Sequence, residues 1–406
     1  MPLSWARPLF GTVVATLMAA TIGATIRATI DSPYLDILAQ YRDGADDASV
    51  KAIEALSVLP NGHSQTEVFK ELERIAFKLG VHDKAARVTR LQQETLADAW
   101  ANVLPAAAVL HLETGYVLRE RGDIDRAMGH LSTARAIVDW PSWTFVIRHR
   151  PEMAERHASL KRDVYLGIVW TLQSYRMLDQ LQSHLERTRD LYPDDAMVKL
   201  AFGSLEELRG SSVEIARVPP PSIHMTVPVD SWRRQSQQAR WDKAIDYFRA
   251  ALKVDPALTE ARLRLGRVLR LRGKVKDARQ ELEAAVASAS TETPAPPAAG
   301  PRMVVPYLGA MFLAETIELD GDAAGALKLY QDVARRWPEC QSGLLALSRA
   351  YGARGEREAS LEALRMLERD QAKRECIDPW WTYHLGQGWR FGPFIVELRA
   401  RVKGRS

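Results

Sequence analysis

One spacing recurs along this chain and leaves few architectures open. A glycine is followed by a small residue five positions later, a larger apolar one at nine and a small or branched one at twelve. Gly273, Ala278, Leu282 and Ala285 define it, and Gly122, Ala127, Leu131 and Ala134 repeat it. Gly321, Ala326, Tyr330 and Val333 keep the same offsets, as do Gly355, Ser360, Leu364 and Leu367. The last two sets lie 34 residues apart, and Ala244, Phe248 and Ala251 precede Ala278, Leu282 and Ala285 by the same 34. A fixed period of this size marks a stack of supersecondary units.

Each offset has a steric reason within a helical hairpin. The glycine ends the first helix in a left-handed conformation that lets the chain reverse. The residue at five sits where the two helices approach most closely, so it is small. The residue at nine lies on the same face, four positions on, and fills the interface. The residue at twelve faces the next hairpin. Pro193, Pro256 and Pro338 follow second helices and stop them.

Within residues 241–287, Ala244, Phe248, Ala251 and Pro256 are followed by Leu265 and Gly266 in the next first helix. Thr114 and Gly115 hold the close-contact position of the repeat that ends at Ala134. Ala314 and Ser348 hold it in the repeats that start near Tyr307 and Gln341. A weaker unit covers 162–195, and another starts at Ala196 with Phe202 and Gly203 in register. This helix–turn–helix pattern resembles the tetratricopeptide repeat family over about residues 108–208 and 241–370. The resemblance implies an all-α fold, an α-solenoid of stacked hairpins with irregular insertions. It also implies a non-catalytic scaffold that binds a peptide or protein partner in the concave groove of the array. The run of signal, degenerate repeats and Trp-rich end is similar to exported bacterial repeat proteins of unknown role.

The expected organisation has six parts. Residues 1–28 are a signal peptide or membrane anchor, 29–107 a helical region and 108–208 a first repeat block. Residues 209–240, with Pro219, Pro220, Pro221 and Pro228, are an irregular insertion. Residues 241–372 are a second repeat block containing a Pro/Ala linker at 288–302, and 373–406 form a Trp-rich cap over the end of the array. At the N-terminus, Arg7 precedes nineteen uncharged residues, 8–26, and Arg27 closes the run. That pattern reads as an export signal, cleaved or retained as an inner-membrane anchor, with the remainder periplasmic. A buried N-terminal helix is the third reading.

Composition narrows function further. With 55 Lys+Arg against 51 Asp+Glu and a net charge of +4, the chain gives no general reason to bind nucleic acid. Two cysteines exclude a disulfide framework and a four-cysteine zinc site. Cys340 and Cys376 are 36 residues apart, near one repeat period, so they are either a disulfide formed in an oxidising compartment or two small core residues. No nucleotide-binding, zinc-protease or serine-hydrolase motif is present, and no catalytic residue, metal ligand or cofactor is assigned. His149 and His157 share a helical face only if Pro151 leaves the helix unbroken.

The most informative charged stretch is RLRLGRVLRLRGKVKDAR. By the family's groove positions, Glu260, Leu263, Arg267, Arg270 and Leu271 line the concave side, followed one hairpin on by Leu308, Met311, Glu315, Glu318 and Leu319. Arg267 and Arg270 share a face and are placed to hold a partner's carboxylate; alternatively, Glu315 and Glu318 pair with them. Trp380, Trp381 and Trp389 belong either to the cap or to an aromatic binding platform. The competing functional class is an enzyme or ligand-binding protein whose site lies in 140–160, 209–240 or 380–394.

Overall fold

The structure, a computed structural model, describes residues 90–211, 229–289, 305–338, 340–369 and 378–385. Among them are fourteen α-helices and no strand. The expected signal segment 8–26, most of the 29–107 region, the proline cluster, residues 290–302, Cys376 and Trp389 lie outside the described residues. None of the described helices is long and apolar enough to cross a membrane. The chain divides into two compact units, residues 1–171 and 172–406.

In the first unit, α1 (Arg90–Arg121) pairs with α2 (Ile124–Val138). Gly122 turns the chain at φ 83°, and Asp123 caps α2 by accepting from the Arg126 backbone N–H. Ala127, Leu131 and Ala134 are fully buried in the hairpin. The boundary expected at 107/108 falls inside α1, which runs unbroken through Pro105. The segment 140–160, named above as a candidate site of the competing class, is largely helical. It is divided between α3 (Ser142–His149) and the start of α4 (Met153–Ser174), and Pro151 separates the two. His149 Nδ1 lies 3.0 Å from the Phe145 carbonyl, and His157 Nε2 lies 2.8 Å from that of Val138. Each histidine thus answers a backbone acceptor, and the two do not converge.

The second unit continues with α5 (Leu178–Leu191), α6 (Ala196–Arg209), α7 (Val229–Val254), α8 (Thr259–Leu271) and α9 (Val275–Ala289). It ends with α10 (Val305–Leu319), α11 (Ala323–Arg336), α12 (Gln341–Ala353), α13 (Arg357–Arg369) and the short α14 (Pro379–Leu385). The hairpins are α6–α7, α8–α9, α10–α11 and α12–α13, and each second helix also packs on the next first helix. Because α7 starts at Val229, residues 229–240 of the expected insertion are helical and belong to a hairpin.

The glycine turns have the conformation that their spacing requires. Gly273, Gly321 and Gly355 have φ of 78°, 93° and 76°, and Arg176, between α4 and α5, takes the same left-handed turn at 54° without the freedom of a glycine. The close-contact position is equally consistent. A Cβ built on Gly266 would lie 2.6 Å from Leu282, and one on Gly203 would lie 2.5 Å from the Phe248 ring. In each case the large residue at offset nine presses on the neighbouring backbone. The first helices α6, α8 and α10 touch one another side by side, and they form the face on which the site is built.

Candidate functional site

Helix α6 carries Glu207 into that face, where the residue is almost wholly buried. Helix α8 answers it. Arg264 Nη1 donates to Glu207 Oε2 at 2.8 Å and Arg267 Nη1 to Oε1 at 2.5 Å, while Arg264 Nε donates to Glu260 Oε1 at 2.9 Å. The 3.6-residue period explains the selection: Glu260, Arg264 and Arg267 lie on one stripe of α8, and Ala261, Leu265 and Val268 fill the core beside it. Burial alone would raise the Glu207 carboxyl. Arg267 and Arg264, with a phenol hydrogen bond from Tyr383, overcome it and hold the group below the usual carboxylate range. Burial disfavours the charge on both arginines too, but the facing Tyr383 and Glu207, with Glu260 for Arg264, hold them ionised above the ordinary arginine value.

One turn further along α8, the balance reverses. An Arg270 Nη stands 2.9 Å from Glu315 Oε2 on α10. Burial outweighs this pairing on both sides, lowering Arg270 and raising Glu315 from their ordinary values. Arg270 Nε and Arg267 Nε are buried without a hydrogen-bond partner. This end of the cluster is charged, enclosed and incompletely satisfied.

The chain covers the face with α14, the last of the described helices. Asp378, buried, accepts from the Tyr307 hydroxyl at 3.2 Å, from the Ser342 backbone N–H at 2.6 Å and from the Trp380 backbone N–H at 2.9 Å. It thereby caps α14 and ties it to α10 and α12. Trp380 and Tyr383, three residues apart on one side of α14, meet the Phe312 ring of α10 at 4.9 and 5.3 Å between centroids. The Tyr383 hydroxyl donates to Glu207 Oε1, and the Arg264 and Arg267 guanidiniums stand 5.1 and 5.0 Å from its ring centroid. Arg176 donates to the carbonyls of Tyr383 and His384 at the C-terminal end of α14, where a cation meets unsatisfied carbonyls. The His384 ring sits between Trp380 and these arginines. Burial first, then Arg267, brings its pKa down to about 3, and its Nε2 has no partner.

The expected site residues separate into three groups. Arg267, Arg270 and Glu315 share the face, with Arg270 beside Glu315. Glu318 turns away to Arg349, which donates to it at 2.9 and 2.6 Å, and to the Tyr330 hydroxyl at 3.1 Å. Of the tryptophans offered as a platform, Trp380 packs inward on Phe312 and its neighbour Trp381 is 44% exposed, while Trp389 lies outside the described residues. Successive helical residues point about 100° apart. Of the expected cap, the described part is residues 378–385. It crosses the first-helix face, and α13 leaves Leu361, Leu364 and Met366 exposed. Cys340 is buried; Cys376, its partner in the disulfide reading, lies outside the described residues. Sequence reasoning missed Glu207, Phe312 and the docking of Tyr383. The available signal for Glu207 was an acidic residue on an otherwise buried helix, since Glu206 and Glu207 interrupt the apolar run of α6.

Residues 233–293, spanning α7, α8 and α9, match the tetratricopeptide repeat family model. No curated protein matches the sequence. Among solved structures, the chain is similar to the MamA protein at 14% identity and a TM-score of 0.36, over 53% of this chain and 96% of that one. It is also similar to the human IFIT1 dimer with PPP-AAAA, at 12% identity and a TM-score of 0.31 over 86% and 94%. Hairpins turned at left-handed glycines and small residues at the helix crossings give the described helices the stacked all-α architecture of the tetratricopeptide repeat matched at residues 233–293.

Proposed function

We propose that this protein is a non-catalytic scaffold and that the face made by α6, α8 and α10 docks a short segment of a partner protein. One observation carries the reading. That face already holds a seven-residue helix by the means interfaces use: two half-buried aromatic anchors, a capped helix start and charge-assisted hydrogen bonds. Among the described residues no group of metal-ligating side chains is gathered. The titratable groups of the face are mostly spent on one another, which suits recognition better than proton transfer. We also propose export, from the uncharged run 8–26 behind Arg7.

Site-specific photocrosslinking in cells tests the docking. A photoreactive residue at Leu319 or Arg349, beside the face, is expected to yield a discrete adduct, and one at Lys328 on the second helix α11 none. Adducts of equal yield at all three positions, or at none, overturn the reading. Fusion of residues 1–40 to a reporter active only outside the cytoplasm tests export, and an inactive fusion refutes it.

A further inference from the structure

We propose that α14 is a built-in placeholder, and that the partner which displaces it is a protein segment presenting a short helix with an aromatic residue, a tyrosine three positions later and a carboxylate immediately after that tyrosine. This rests on the docking reading above and specifies its ligand.

Helix α14 is held from outside its own stretch of chain. Its contacts come from residues far away in sequence, Arg176, Glu207, Arg264, Arg267, Tyr307, Phe312 and Ser342, and all but Arg176, in the turn before α5, belong to a hairpin that already has its own turn and interface. The hairpins close without α14: Ala278, Leu282 and Ala285, or Ala326, Tyr330 and Val333, meet their partners in neighbouring helices. Helix α14 is short, and an isolated helix of this length is marginal in water. Its conformation therefore depends on the face, as a bound peptide's does.

The fit is good at one end and poor at the other. Toward its start, α14 satisfies Asp378 completely and seats Trp380 and Tyr383. The Tyr383 hydroxyl finds a carboxylate that a phenylalanine could not use. At residue 384 the match fails. Arg176, Arg264, Arg267 and Arg270 stand around this end against Glu207, Glu260 and Glu315, four guanidiniums for three carboxylates. Into this excess of positive charge the chain inserts a neutral imidazole. It leaves Arg267 Nε, Arg270 Nε and His384 Nε2 buried without partners, and the depressed basicity of the ring reflects the same field. A carboxylate in its place would balance the charge and supply the missing acceptors. Self-contact is thus weaker than the contact that the face is built to make, as displacement requires.

Fluorescence anisotropy with labelled synthetic peptides decides the matter. The native peptide spans residues 376–389; a second carries His384→Glu; a third carries Trp380→Ala and Tyr383→Ala. Each is titrated into the full chain and into a full chain bearing Trp380→Ala and Tyr383→Ala, whose own α14 is released. The native peptide is expected to bind the released chain at least about tenfold more tightly than the unaltered one. The His384→Glu peptide is expected to gain about a further tenfold, a gain that shrinks in about 0.5 M salt, and the alanine peptide to bind neither. Equal binding of the native peptide to both chains, or binding to neither, overturns the placeholder. No gain from His384→Glu overturns the carboxylate requirement.

Because the doubly substituted chain risks a folding defect, a second form keeps the native residues and carries a protease site within 370–377, cut after purification. Excess His384→Glu peptide is expected to release the cut C-terminal fragment. Retention of that fragment overturns the proposal. Crosslinking in cells judges the docking reading separately. Peptide exchange without cellular adducts would refute docking alone, and adducts of equal yield from the unaltered and released chains would refute the placeholder alone.

Discussion

Glu207 shows how much one buried charge decides. It sits between two guanidiniums and a phenol, and each of the four groups is tolerable inside the protein only because the others are there. Glu207→Gln removes the counter-charge and leaves Arg264 and Arg267 enclosed. The expected loss is about 3 kcal/mol, read as a lower urea midpoint with an unchanged slope, since breaking one side of a buried pair typically costs that much. His384 makes a separate prediction about acid. Its ring stays neutral in the folded protein down to about pH 3, whereas the unfolded chain takes up a proton near the ordinary 6.5. Between these values the unfolded state binds more protons, so this contribution is full above pH 6.5 and is lost as the pH falls toward 3. His384→Gln should flatten the stability profile between about pH 4.5 and 6.5. A profile parallel to that of the unaltered protein would contradict the placement of the ring. The depressed Glu207 carboxyl adds acid sensitivity in the same direction but at lower pH, where folded and unfolded carboxylates differ.

Among the elements, the hairpins depend on two kinds of glycine whose substitutions fail for different reasons. Gly273 is needed for backbone conformation: its φ is 78° and a Cβ there would meet nothing within 4 Å. Gly273→Ala should cost about 1 kcal/mol, all of it from the left-handed turn. Gly266 is an ordinary helical residue needed for space, with Leu282 only 2.6 Å from where a Cβ would stand. Ala314 and Ser348 occupy the equivalent position two and four helices further on, but at Gly266 a Cβ must push Leu282 aside, so Gly266→Ala should cost about 1–2 kcal/mol. Gly266→Leu should cost about 1–3 kcal/mol by forcing the helices apart. Thermal denaturation of the three variants checks the order. The turn at Arg176 shows the compromise the other way: a side chain accepts a strained backbone, and its guanidinium reaches the carbonyls at the end of α14.

For the second unit as a whole, the helix contacts join a helix to the next or the next but one along the chain, whereas α14 reaches back to α10. Tyr383 reaches back 176 positions to Glu207, and His384 reaches back 208 to Arg176. Local contacts form early and distant ones bear a loop-closure cost, so α14 should dock after the hairpins. Trp380→Ala with Tyr383→Ala is therefore expected to speed unfolding several-fold and leave the refolding rate of the hairpins almost unchanged. Stopped-flow fluorescence reads both limbs, and a matching fall in the refolding rate would place α14 in the folding nucleus instead.

The hairpin architecture was legible in the residues because a repeat of this kind is governed by local sterics. A left-handed turn needs Gly122, Gly273, Gly321 or Gly355, a close crossing needs Ala127 or Ala278, and those demands are met within a few dozen residues of chain. The same reasoning reached Arg267, Arg270 and Glu315, whose shared face follows from helical period and repeat register. It also read proline-rich or irregular stretches too broadly, missing that 142–149 and 229–240 are helical, because proline reports only where a helix stops. Nothing local says where a free aromatic helix goes. Trp380 and Tyr383 could cover any exposed apolar surface. The choice of Phe312 and Glu207 over the open face of α13 follows from a three-dimensional coincidence of ring, carboxylate and guanidiniums contributed by α6, α8 and α10. Those partners lie roughly 70 to 180 residues before Tyr383 in the chain, and their electrostatic fit exists only once the hairpins have stacked.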